Sequence, residues 1–303
     1  YKRQGYNSID GGWFLVNGED QDMIREKYEA VWKQIAERFA KYDEHLIFES
    51  MNEESDGTYD GDPNKEYYAN LNQYNQIFVD TVRGTGEKNT HRWLLVPGWN
   101  TNIEYTVGDY GFEMPTDEKC SAGESRMMVS VHYYDPWDYC GIEDLKTILW
   151  GEYGDNLIEV NGFPKMNKAK WGDESYLDDL FSRMQEKFVK NDIPVIIGEY
   201  GCIDKSSAYA DFAGQIQGNR AYWDGYVAGK AASMGMIPVY WDNGFNGVYG
   251  FGLFDRNTYE QTQPEIISTI LKAVKNKDPK AGLDTVVENK AEKTDEAHAY
   301  LSL

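Results

Sequence analysis

The sequence predicts an α/β fold in which a parallel sheet curls toward a (β/α)8-type barrel, with about five strand–helix units visible. Five short apolar runs alternate with five longer amphipathic stretches, and strand-then-helix repetition is the pattern of a parallel sheet with crossover helices. The apolar runs are β-branched or aromatic, and most are too continuous for half-solvated strands, so they read as buried on both faces. Polar side chains gather at or just past the C-terminal ends of these runs, the rim on which barrel enzymes build their sites.

The strand candidates are HLIFES (45–50), RWLLVPG (92–98), RMMVSVHYY (126–134), IPVIIGEYG (193–201) and MIPVYWDNG (236–244). Helices are expected over 20–41, 64–83, 174–191, 206–233 and 263–276. In the first, Ile24, Tyr28, Val31, Ile35 and Phe39 recur at spacings of three and four and make one apolar stripe. An open doubly wound sheet also fits the alternation, but no glycine-rich phosphate loop follows any strand, which favours the barrel. Long segments at 54–63, 101–125, 135–173 and 242–262 read as loops rich in Gly, Asp, Asn, Tyr and Trp, suited to lining a groove. Residues 1–276 are expected to form one catalytic domain. From 277 to 303 the chain turns polar and acidic and reads as a tail or linker.

Composition narrows the partners. A formal charge of -21 repels phosphate backbones, so nucleic acid is not expected, whereas a neutral polymer is indifferent to it. No 20-residue apolar run calls for a membrane. The aromatic share is 15%, with 9 Trp and 23 Tyr, an excess that suits either a thick core or a cleft that stacks sugar rings. Cys120, Cys140 and Cys202 match no zinc spacing and allow one disulfide at most. The chain shows neither a signal peptide nor an initiating Met, which decides nothing about compartment.

Two carboxyls carry the candidate chemistry. Glu53 ends the first strand run and Glu199 the fourth. Cleavage of a glycosidic bond needs one carboxyl to give a proton and one carboxylate to attack or to activate water. Burial after an apolar strand would raise the Glu53 pKa and suit it to the acid role. A lone strand-end Glu is more often a salt-bridge partner or a helix cap, but two, flanked by Asn, His, Tyr and Trp, point to catalysis. Asn52 can donate to a sugar 2-hydroxyl, a bond that strengthens at an oxocarbenium-like transition state. Tyr134 can hydrogen-bond the nucleophile, and His132, two residues earlier, can orient the sugar or the acid/base. Trp241 offers a flat face to a sugar ring, with Trp137 and Asn243 as further substrate-binding candidates, and Trp99 and Trp13 behind them. Packing roles remain open for His132, Tyr134 and each of the Trp residues, as does a turn-fixing role for Asn52.

These segments resemble glycoside hydrolase family 5. The likeness rests on LIFESMNE (46–53), VSVHYYDPWDY (129–139), PVIIGEYG (194–201) and PVYWDNG (238–244), in the family's order. GYNSIDGGWFLVNGED (5–20) and YGFGLFDR (249–256) resemble the branch acting on cellulose, mixed-linkage β-glucan and xyloglucan. The resemblance implies a TIM barrel, Glu53 as acid/base, Glu199 as nucleophile, retention of configuration, no metal or cofactor, and secretion. It implies an endo-β-1,4-glucanase, with a non-catalytic carbohydrate-binding protein or a mannanase or xylanase as alternatives. The five runs correspond to barrel strands four to eight. The histidine pair expected before GYNSIDGG is replaced by Tyr1, Lys2, Arg3 and Gln4, and the arginine of the second strand is missing too. Such a section is expected to need a complementing segment or to self-associate.

Overall fold

A computed structural model describes residues 12–58 and 61–282. The segment at 1–11 and most of the expected tail, 283–303, lie outside the described residues. The described chain divides into two compact units. The first comprises residues 12–58, 61–132 and Glu186–Ile196; the second comprises Tyr133–Gln185 and 197–282.

All five expected strands form: β1 (Phe48–Glu49), β2 (Leu94–Asn102), β3 (Met127–Tyr133), β4 (Val195–Tyr200) and β5 (Ile237–Tyr240), in the sheet order β1-β2-β3-β4-β5. β1 with β2 and β2 with β3 pair in parallel. The Val129 N–H then donates to Pro194 O just before β4, and the Trp241 N–H to Tyr200 O just after β5. This strand order, with helices between successive strands, is the crossover pattern that the alternation predicts.

In the first unit, α1 (Gln21–Phe39) starts at Asp20, whose carboxylate accepts from the Met23 N–H at 3.0 Å. Its buried stripe is Ile24, Tyr28, Trp32 and Ala36, a strict i+4 row. Val31, expected in that stripe, is 41% exposed, because on ideal geometry it falls just outside the arc from Ile24 to Ala36. α2 (Lys65–Gly84) packs Tyr68, Leu71, Tyr74 and Phe78 into the same core as the α1 stripe, Phe48 and Val96.

The second unit contains α4 (Trp137–Cys140), α5 (Gly151–Asn161), α6 (Glu174–Lys187, whose last two residues fall in the first unit), α7 (Ala213–Ser233) and α8 (Pro264–Asn276). α4 and α5 fall in the stretch read as loop at 135–173, and α3 (Ile103–Val107), in the first unit, falls in the one at 101–125. α7 is buried around most of its circumference. Its Asn219 accepts from the Trp150 N–H and donates to Trp150 O, at 2.7 and 2.9 Å. α8 lies close against it: a Cβ on Gly225 would come 2.5 Å from Thr269 Cγ2.

β5 departs from the expectation of burial on both faces. Ile237 is 49% and Val239 43% exposed, because β5 ends the sheet order and, among the described residues, has only β4 beside it. Cys120, Cys140 and Cys202 are all free thiols.

Candidate active site

β1 is short, and the backbone beyond it is held by side chains rather than by a ladder. The Ser50 N–H still bonds Leu95 O at 3.0 Å, while Ser50 O accepts from Tyr28 Oη and Trp32 Nε1 of α1, at 2.8 and 3.3 Å. On β2 the register with β3 breaks: five steps (97 to 102) face two on β3 (130 to 132). A bulge of that size frees backbone groups that must find other partners. Asn75 Nδ2 donates to Pro97 O at 2.9 Å, and Tyr68 Oη accepts from the Trp99 N–H at 3.1 Å. The Asn100 N–H donates to Glu54 O at 2.8 Å, and the Glu53 N–H donates to Thr101 Oγ1 at 2.9 Å. Glu53, Asn100 and Thr101 all have positive φ, at 53°, 52° and 51°.

This backbone presents the Glu53 carboxyl to His132 on β3, with Oε1 2.8 Å from Nδ1. The His132 side chain is buried, but that of Glu53 is 36% exposed. Half-exposure replaces the burial expected from the apolar run, because the chain has already left the strand at residue 50. The next residue is the buried one. Glu54 is 1% exposed, and burial pushes its carboxyl up to about 8, the Val16 backbone N–H offsetting only part of that shift.

In the second unit Glu199, buried near the end of β4, accepts a hydrogen bond from Tyr134 Oη at 3.0 Å. The Tyr134 ring stands edge-on to Trp137 and to Phe251, with centroids 5.9 and 6.0 Å apart. Trp137 is 50% exposed, and Trp241 is half-buried immediately after β5. Asn243 is exposed, and its Oδ1 accepts from the Phe245 and Phe251 N–H groups at 3.0 and 3.3 Å, so that oxygen shapes the loop. Asn52 is half-buried beside Glu53. Trp99 is buried against Tyr68, and Trp13 packs edge-on to Phe14. Phe251 and Thr101 were not singled out as site residues. Phe251 sits inside the YGFGLFDR match, whereas nothing in the local sequence marks Thr101.

Comparison with known proteins identifies the family of the chain. The profile of the cellulase family, glycosyl hydrolase family 5, matches residues 10–247. The chain is 48% identical over 274 residues to Endoglucanase A of Paenibacillus barcinonensis, covering 89% of this chain and 65% of that protein. It is 32% identical over 270 residues to a xyloglucan-specific endo-beta-1,4-glucanase of Bacteroides ovatus, covering 88% of this chain and 50% of that one. Among solved structures, a family 5 xyloglucanase from Paenibacillus pabuli in complex with ligand superposes with a TM-score of 0.82 at 50% identity. That match covers 89% of this chain and 73% of that one. The chain thus spans about half to two thirds of the length of these curated relatives.

Proposed function

Because this chain belongs to the cellulase family, glycosyl hydrolase family 5, we propose that it is a retaining endo-β-1,4-glucanase acting on xyloglucan, cellulose or mixed-linkage β-glucan. One observation carries the reading: each of two strand-end carboxyls has its own specific polar partner, His132 for Glu53 and Tyr134 for Glu199.

Glu199 attacks the anomeric carbon while Glu53 protonates the departing glycosidic oxygen, leaving a glycosyl ester on Glu199. Water then attacks that ester as Glu53 takes its proton, and the two inversions together retain configuration. His132 can serve Glu53 through the whole cycle. A neutral imidazole nitrogen accepts from the acid form or donates to the carboxylate, according to its tautomer. Tyr134 holds the Glu199 carboxylate in its attacking orientation. Trp241 and the exposed Trp137 supply apolar faces for sugar rings. Asn52 serves the 2-hydroxyl, and Asn243 contributes by shaping the loop after β5. Polymers of this kind lie outside the cell, so secretion belongs to the same reading.

Two of the relatives described above act on xyloglucan, which makes it the first polymer to test. The chain is incubated with xyloglucan, carboxymethylcellulose, mixed-linkage glucan, mannan and xylan, and new reducing ends are counted. The proposal expects rapid loss of viscosity and β-configured products from one or more of the first three. Binding to a glucan without any new reducing ends refutes it.

A further inference from the structure

Thr101 is a poor residue for the backbone it occupies. Its φ is +51°, a region that β-branched side chains rarely enter, and Asn100 before it is left-handed as well. It is also fully buried, so solvent does not reward its hydroxyl. What the hydroxyl does is accept the Glu53 N–H at 2.9 Å. Glu53 is itself left-handed, and the neighbouring bond from the Asn100 N–H to Glu54 O ties the same two segments together at 2.8 Å. Two strained turns thus lock one another, and the side chain they aim is the carboxyl that meets His132 at 2.8 Å. Strained, over-determined backbone of this sort is a recurring device for aiming catalytic groups.

We propose that Thr101 is a positioning residue for proton donation: its hydroxyl fixes the Glu53 backbone and so holds the Glu53 carboxyl in line with the leaving oxygen. The inference rests on the reading of Glu53 as acid/base. Thr101 touches no substrate; it acts through Glu53.

Glycine suits a left-handed backbone better than threonine does, so Thr101→Gly removes the hydroxyl without adding strain. Thr101→Ala is the second hydroxyl-free variant, and Thr101→Ser keeps the acceptor. Each is assayed on cellotetraose, whose leaving group needs a proton, and on 2,4-dinitrophenyl β-cellobioside, whose leaving group departs without one. For both hydroxyl-free variants kcat/KM on cellotetraose should fall roughly 10- to 100-fold, the scale of a misplaced general acid. On the aryl glycoside it should stay within about threefold, and Thr101→Ser should stay within about threefold on both, since proton transfer carries the whole effect. Glu53→Ala sets the full size of the split between the two substrates. Thermal melts check that both hydroxyl-free variants remain folded at the assay temperature, so that the split between substrates is not read from unfolded protein.

Equal losses on both substrates, or none on either, overturn the inference. A parent chain that cleaves neither substrate overturns the acid/base reading and this inference together. A parent that cleaves both, with no split in the variants, overturns the inference alone.

Discussion

The Tyr134 hydroxyl donates to Glu199 Oε2 at 3.0 Å from a ring braced edge-on by Trp137 and Phe251. The two aromatic neighbours fix where the phenol points, and the phenol fixes one oxygen of the carboxylate. Tyr134→Phe keeps the brace and deletes the bond. A hydrogen bond to a charged group contributes about 1.5–3 kcal/mol, so kcat/KM should fall roughly 10- to 100-fold. Because the ring and its packing remain, the melting temperature should fall by only a few degrees, the scale of one lost hydrogen bond. Steady-state kinetics with a melting curve checks both halves; an unimpaired variant removes Tyr134 from the mechanism.

His132 is the corresponding partner on the other carboxyl. Its side chain is buried and its Nδ1 lies 2.8 Å from Glu53 Oε1. His132→Gln, which retains a polar group of similar reach, should lose about tenfold or more in kcat/KM on polysaccharide, the lower range for disturbing a general acid. His132→Ala should lose more. Parent-like hydrolysis by both variants would show that the histidine only fills space.

Glu54 gives the fold a pH dependence of its own. Its carboxyl is raised to about 8 in the folded chain by burial. An unfolded glutamate ionises near 4.3. Between those values the folded chain holds a proton that the unfolded chain has released, so stability falls as pH rises and then levels off. The full loss is on the order of 5 kcal/mol. Glu54→Gln mimics the protonated form and should flatten this slope, so that its advantage over the parent grows from pH 5 to pH 8. Denaturant titrations at the two pH values measure it. An advantage that does not change with pH would mean that Glu54 is ionised in the fold.

Much of this was legible in the sequence because the informative signals were long or chemically rare. All five apolar runs became strands, and each of the five expected helices formed, although the fourth opens with two short 3-10 turns before Ala213. The strand-end carboxyls stood out because a Glu closing an apolar run is unusual. Short elements did not stand out. α3 and α4 have too few residues to show a period, and α5 lies in a stretch whose glycines read as loop. Thr101 was invisible because positive φ is imposed by the β2 bulge rather than by its own residue type.

Four of the five residues expected in the α1 stripe reach the core; Val31 does not, and Trp32 does in its place. Trp32 meets Phe78 at 4.4 Å and donates to Ser50 O, while Val31 faces outward. Trp32→Ala should cost about 3–5 kcal/mol. Val31→Ala should cost no more than about 0.5 kcal/mol. Comparable losses in urea unfolding would return Val31 to the core.

The division of labour between the two carboxyls is tested most directly by azide trapping with 2,4-dinitrophenyl β-cellobioside. In Glu53→Ala the glycosyl ester still forms on Glu199, and azide should intercept it to give the β-glycosyl azide. In Glu199→Ala azide must attack the substrate itself and should give the α-anomer. Proton coupling constants of the isolated products distinguish the two. The reverse assignment, or the same anomer from both variants, contradicts the account.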